Sequence, residues 1–281
     1  MSDTGTRLRP LEIEADDVTF FRRRVAPDLS PWVEQIVGYR ETGTRLDNAI
    51  EMAPLVVPLI LSFAEPFEIA LGRRPAPDER YGSFASGLYP GHVVMNSTGR
   101  SQCVQVDFTP LGASRFFGFP VGEFAARMVH LSDIADPQVA QLRSMLAETS
   151  SWPLRLDIAE SFLRQRLLTG PAPSAELAFA WSAILQRAGR VRIAAIADRI
   201  GWSRKHLTMR FIAEFGVAPK TIARMARFNR AVALAAATPS SLADIAADAG
   251  YADQAHFTRE FQEFGGQSPG AWRTASPQAL G

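Results

Sequence analysis

Two clusters of hydrogen-bonding side chains lie about fifty positions apart near the end of the chain: Lys205, His206, Thr208 and Met209, then Gln254, His256, Thr258 and Arg259. Lys and Arg donate to the O6 and N7 acceptors of guanine, Gln pairs with the edge of adenine, and methyl-bearing side chains contact thymine. These types therefore suit the major groove of DNA. They can act together only from one face of one helix. At about 100° per residue, with Leu207, Phe211 and Phe215 turned inward, the opposite face presents Lys205, Met209 and Ile212, flanked by His206 and Thr208. With Phe257, Phe261 and Phe264 inward, the second cluster presents Ala255, Arg259 and Gln262, flanked by His256 and Thr258, with Gln254 near the N-terminus.

An internal duplication positions these faces. Ile196, Ala197 and Gly201 recur as Ile245, Ala246 and Gly250 at an offset of 49, and Leu207, Phe211, Gly216 and Pro219 recur as Phe257, Phe261, Gly266 and Pro269 at an offset of 50. In each copy a short helix ends four residues after a small Ala, at a Gly able to take the left-handed conformation. A second helix then begins at Ser203 or Asp253, both able to cap free N–H groups. This is the grammar of a helix-turn-helix, with Ala197 and Ala246 allowing close helix packing.

Between the copies, Pro219 to about Ala237 reads as one continuous helix with proline in its first turn. At 1.5 Å per residue it is roughly 27 Å long, which spaces two recognition helices about one DNA turn, ~34 Å, apart. Arg224, Arg227 and Arg230 occur on it at steps of three. Phosphate contact by Arg224 and Arg227, together with Ser203, and an ion-paired or solvated face are equal readings of that spacing.

The segments IAAIADRIGWSRKHLTMRFIAEFGVAPKTIARMARFNRAVAL and SLADIAADAGYADQAHFTREFQEFGGQSPGAWR resemble the paired-unit DNA-binding domain of the AraC (AraC/XylS-type) family, over about residues 175–273. The resemblance implies a sequence-specific DNA-binding transcriptional regulator. It assigns base contacts to Arg204, Lys205, Thr208 and Met209 in the first unit and to Gln254, His256, Thr258 and Arg259 in the second. Ala255 stands where such proteins usually carry a polar residue, so the second unit is expected to depend on Arg259 and on backbone contacts. The resemblance further implies double-stranded DNA as partner, a cupin-like N-terminal domain that senses a small effector or dimerises, a homodimer, and RNA polymerase as partner if the protein activates.

The 281 residues suffice for two domains. Composition, 47% hydrophobic and 21% charged, is that of a globular chain. The net charge of +1 hides an asymmetry: from Ser174 onward 13 Lys/Arg face 8 Asp/Glu, and before it 17 face 21. The basic part is the nucleic-acid candidate. The expected class is α+β: residues 1–170 a β-sandwich or barrel with closing helices, 171–174 a linker, 175–275 all-α with two helix-turn-helix units.

Within residues 1–170, VEQIVGY, LVVPLILSF, FEIAL, HVVMN and QCVQVDF read as strands between Thr19 and about Phe108, with Asn96 to Gly99 as a hairpin turn. VGEFAARMVHL, PQVAQLRSMLAET and LRLDIAESFLRQRLL carry apolar residues at spacings of three and four and read as helices. The last aligns Leu156, Phe162, Leu163 and Leu167, read as core with a subunit contact as the alternative. Cys103 reads as a core residue of a strand.

Several functions find no support. The most apolar segment, Ala53 to Phe63, is interrupted by Pro54 and Pro58, which excludes a membrane-spanning helix there. The start, MSDTGTRLRPLEIEADD, is unlike a signal peptide, so a cytoplasmic protein without a membrane partner is expected. Only His92 and His130 lie in the first part, too few for a cupin metal site, and no metal or cofactor is expected. No G-x-S-x-G elbow exists, since GSFASG at 82–87 has the wrong spacing, so no catalytic residue is assigned and no enzyme is expected. Two accounts of the N-terminal domain stand level: a β scaffold for a dimer, and a small apolar effector pocket lined by Phe63, Phe67, Phe84 and Tyr89. Control by a partner protein and an enzyme fused to a DNA-binding domain are the rival readings.

Overall fold

A computed structural model describes residues 11–15, 17–43 and 45–275. Its strands are β1 (Leu11–Ala15), β2 (Val18–Arg23), β3 (Val33–Glu41), β4 (Ala49–Glu51), β5 (Val57–Ser62), β6 (Phe67–Leu71), β7 (Arg80–Tyr81), β8 (Phe84–Ser86), β9 (Val93–Asn96), β10 (Gln102–Phe108) and β11 (Met128–His130). They form a seven-stranded sheet in the order β1-β2-β3-β10-β5-β8-β11 and a four-stranded sheet in the order β4-β9-β6-β7. All pairings are antiparallel. The helices are α1 (Pro110–Phe117), α2 (Leu131–Ile134), α3 (Pro137–Glu148), α4 (Trp152–Thr169), α5 (Ala175–Gln186), α6 (Ile193–Arg199), α7 (Arg204–Phe215), α8 (Pro219–Ala237), α9 (Leu242–Ala249), α10 (Gln254–Gly265) and α11 (Pro269–Ala275). The class is α+β, with every strand but β11 preceding the helices.

The period of two along β10 sorts its side chains between two environments. Val104, Val106 and Phe108 join the main apolar core, whereas Cys103 joins a smaller cluster with Ile60, Phe67, Ile69 and Phe84. Cys103 and Gln105 thereby line a cavity to which both sheets contribute. The main core runs without a break from the strands through Phe124 and Phe215 into the C-terminal helices. In α4, Leu156, Leu163 and Leu167 are buried and Phe162 is half-buried, as the core reading expects.

Two expectations are corrected. Asn96 to Gly99 is not a hairpin turn: β10 already has β3 on one side and β5 on the other, so the chain leaving β9 crosses to the other sheet. Gly99 does take a positive φ, +79°. The segment from Val121 to Leu131 is not a helix. A short 3-10 turn, Val121–Phe124, buries Val121 and Phe124 beside Phe117 and Phe119, and the chain then extends so that Met128–His130 pairs with β8. Strand pairing here overrides the helical spacing of the apolar residues.

Candidate nucleic-acid interface and N-terminal cavity

Each recognition helix begins at a side-chain cap. Ser203 Oγ accepts from the His206 N–H at 3.1 Å, and Asp253 Oδ1 accepts from the His256 N–H at 2.7 Å. The turns before them pass through Gly201 at φ +73° and Gly250 at φ +90°. Ala197 and Ala246 are buried where each short helix meets its partner. The inward stripes Leu207, Phe211, Phe215 and Phe257, Phe261, Phe264 are all fully buried. The duplication extends to ring geometry: Trp202 meets His206 edge-on at 4.6 Å, and Tyr251 meets His256 edge-on at 5.2 Å.

On the outer face, Arg204, Lys205, Met209, Gln254 and Arg259 are exposed, and Thr208, His256 and Thr258 are half-buried. Met209 and Ile212, both large and apolar, are 53% and 49% exposed. His256 leans inward, its Nε2 3.4 Å from Glu260. Ser203 is exposed but its hydroxyl is engaged as the cap.

The arginines of α8 are engaged by neighbouring groups of the chain. Arg224 donates to Glu260 at 2.7 Å and to Glu263 at 2.5 Å, and Arg227 donates to Glu260 at 3.0 Å while covering the Tyr251 ring at 4.7 Å. Arg230 Nε donates to the Asp248 carbonyl at 3.3 Å. Arg224 and Arg227 thereby form an internal staple between α8 and α10, as a buried carboxylate demands paired cations. Burial alone would raise the Glu260 carboxyl, but its bonds to Arg224 and Arg227 outweigh this and hold it below the ordinary range. Glu260 was not among the expected residues. Its signal was a carboxylate set among Phe257, Phe261 and Phe264, opposite arginines at steps of three.

In the N-terminal part, a cavity of about 120 Å³ lies between the sheets. Phe67, Phe84 and Tyr89 line it as expected; Phe63 does not, and instead lies against the Arg155 guanidinium at 4.3 Å and the Trp152 ring at 5.9 Å. Adjacent residues in a strand point to opposite faces, and Phe63 falls on the core side. Glu51, at the end of β4, also lines the cavity. Part of its surface is open, while the surrounding protein desolvates its carboxylate. Enclosure, with the charge of Asp107 adding to it, pushes this carboxyl up to about 7.

His130 is exposed, whereas the Nδ1 of His92 is buried without a hydrogen-bond partner among the described residues. His130 stacks on Tyr81 at 4.8 Å, and His92 packs over Gly266, where an added Cβ would meet its ring at 2.7 Å. Among the described residues no group of three metal-ligating side chains occurs, and no helix is long and apolar enough to cross a membrane.

Residues 196–275 match the family described as a helix-turn-helix domain, of AraC type. This is an AraC-type DNA-binding domain. Solved structures resembling the chain include apo ToxT from Vibrio cholerae, 11% identical over 89% of this chain and 98% of that one with a TM-score of 0.47. An AraC-type DNA-binding domain-containing regulator from Chromobacterium violaceum is 24% identical over 37% of this chain and 95% of that one, TM-score 0.34. The DNA-binding domain of AdpA in complex with a target DNA is 24% identical over 38% of this chain and 100% of that one, TM-score 0.35. No curated protein sequence matches.

The AraC-type domain is held by the N-terminal part at the far end of both recognition helices. The Ala53 N–H donates to the Phe264 carbonyl in the last turn of α10 at 3.0 Å. At α7, an added Cβ on Gly122 would meet the Ala213 carbonyl at 2.6 Å, and one on Gly216 would collide with the Ala125 side chain. Only glycine at both positions permits so close an approach. The N-terminal ends of α7 and α10, which carry the exposed polar residues, stay clear of these contacts.

Proposed function

We propose that the protein regulates transcription by reading DNA through Arg204, Lys205, Thr208 and Met209 on α7 and through Gln254, His256, Thr258 and Arg259 on α10, under control of a small effector in the N-terminal cavity. Residues 1–170 sense, 171–174 link, and 175–275 bind. The observation that carries this reading is the backbone hydrogen bond from Ala53 to Phe264, two residues beyond the cavity-lining Glu51. A ligand that shifts β4 shifts the last turn of α10, and the contacts at Gly122 and Gly216 give α7 the same dependence. Effector binding then changes DNA affinity by as much as the ligand discriminates between the two placements of the helices. A homodimer would form through the outer face of α3 and α4, where Met145 and Leu154 are exposed, and RNA polymerase is the further partner of an activating form.

The test is recovery of genomic DNA by the purified full-length protein, in parallel with the double variant Lys205→Ala/Arg259→Ala. The expected result is a motif of two half-sites about one helical turn apart, lost in the variant. Absence of a motif, or identical recovery by the variant, would remove the assignment of the recognition faces.

A further inference from the structure

The cavity is apolar but not neutral in what it asks of a ligand. Its lining includes Phe67, Phe84, Tyr39 and Tyr89, and among the described residues that line it there is no Lys, Arg or His. Most of its polar side chains are already engaged. Tyr39 donates to Glu41 at 2.6 Å, Gln105 donates to Asp107 at 2.9 Å, and Ser86 donates to the Gly87 carbonyl at 3.1 Å. Glu51 is different: it lines the cavity and has no hydrogen-bond or ion-pair partner among the described residues. A carboxylate in such surroundings is costly to keep ionised unless a cation joins it.

We propose that the cavity binds a compact lipophilic amine: an apolar body about the size of a single ring, seated among Phe67, Phe84 and Tyr89, with one protonated nitrogen paired to Glu51. The volume sets the upper bound on size: a cavity of about 150 Å³ accommodates benzene and this one measures about 120 Å³, so a single ring is the largest body it takes. The charge follows from Glu51 and from the aromatic lining, whose ring faces attract a cation. An anionic ligand meets Glu51 together with the nearby carboxyls of Asp107 and Glu41. The other titratable groups around the cavity, Tyr39, Tyr89 and Cys103, supply no positive charge. The inference rests on the effector-site reading above and adds the chemistry of the ligand.

Three probes of one shape and different charge decide it: benzylamine, benzyl alcohol and benzoate, titrated calorimetrically into the full-length protein and its Glu51→Gln variant. Benzylamine is expected to bind best, and Glu51→Gln to weaken it by about thirtyfold or more, as for a buried charge that loses its partner, with benzyl alcohol unchanged. Near neutral pH, benzylamine should also release a proton from the wild-type protein, read as a heat that varies with the buffer, and none from Glu51→Gln. Binding of benzyl alcohol or benzoate as tight as that of benzylamine, or benzylamine binding indifferent to Glu51→Gln, would overturn the amine inference and leave the effector site standing. If none of the three binds, both the inference and the effector site fall, while DNA recognition by Lys205 and Arg259 is unaffected.

Discussion

Ala53 and Phe264 are joined by a backbone hydrogen bond of 3.0 Å that connects the edge of the N-terminal cavity to the last turn of the second recognition helix. Both residues are buried, so water cannot replace the bond. Ala53→Pro removes the donor and leaves the Phe264 carbonyl unpaired, at a cost of about 1–3 kcal/mol. DNA binding measured by anisotropy is expected to persist in this variant but to lose most of its response to effector. A response of full size would show that the signal travels elsewhere.

The staple between α8 and α10 makes a prediction about stability. Glu260→Gln leaves Arg224 and Arg227 without their shared carboxylate, and breaking a buried pair by removing one partner costs about 3–5 kcal/mol. Arg210, at the equivalent position of the first unit, is exposed over the Trp202 ring at 5.8 Å and has no such partner, so Arg210→Gln should change the melting temperature little. The pH dependence follows from the depressed Glu260 carboxyl. Its contribution is full above the ordinary glutamate range and is lost as pH falls through the lower, folded-state value. Wild type and Glu260→Gln should therefore converge in stability under acid conditions, as read by denaturant unfolding.

The duplicated units were legible because their constraints are local and repeat: a small Ala, a turning Gly, a capping Ser203 or Asp253, and a stripe of three large apolar residues. The strands with clean alternation, β6 and β10, were legible for the same reason. What the sequence hid depends on partners distant along the chain. Glu51 looks like any surface glutamate until the two sheets form a cavity beside it, and β11 looks helical until β8 is there to pair with. Arg224 and Arg227 carried two equal readings because their spacing is indifferent to whether the facing group is a phosphate or Glu260.

That distinction is measurable on DNA. Lys205→Ala and Arg259→Ala remove exposed side chains that make no hydrogen bond or ion pair among the described residues, so the fold should be unchanged while affinity for the operator falls by about 1–3 kcal/mol each. Arg224→Ala should instead lower the melting temperature and leave the dependence of binding on salt nearly unchanged, since a group spent on Glu260 and Glu263 releases no counterion from DNA. A reduced salt slope in Arg224→Ala would restore the phosphate contact.

Glu51 gives the last prediction, and its sign is opposite to that of Glu260. Its carboxyl titrates at about 7 in the folded protein, against 4.5 for an unperturbed glutamate. Between those values the folded state holds the proton more firmly than the unfolded chain, so raising the pH through this window lowers stability, and above it the loss is complete. Glu51→Gln abolishes the titration. The variant should melt like the wild type under mildly acidic conditions and higher than the wild type at about pH 8, by roughly 2–4 °C for a change on the order of 1 kcal/mol in a chain of this size. A cationic ligand should erase the difference by giving the wild-type carboxylate its partner. Equal melting temperatures of apo wild type and Glu51→Gln across the whole range would mean that Glu51 reaches water, and that the cavity does not enclose it.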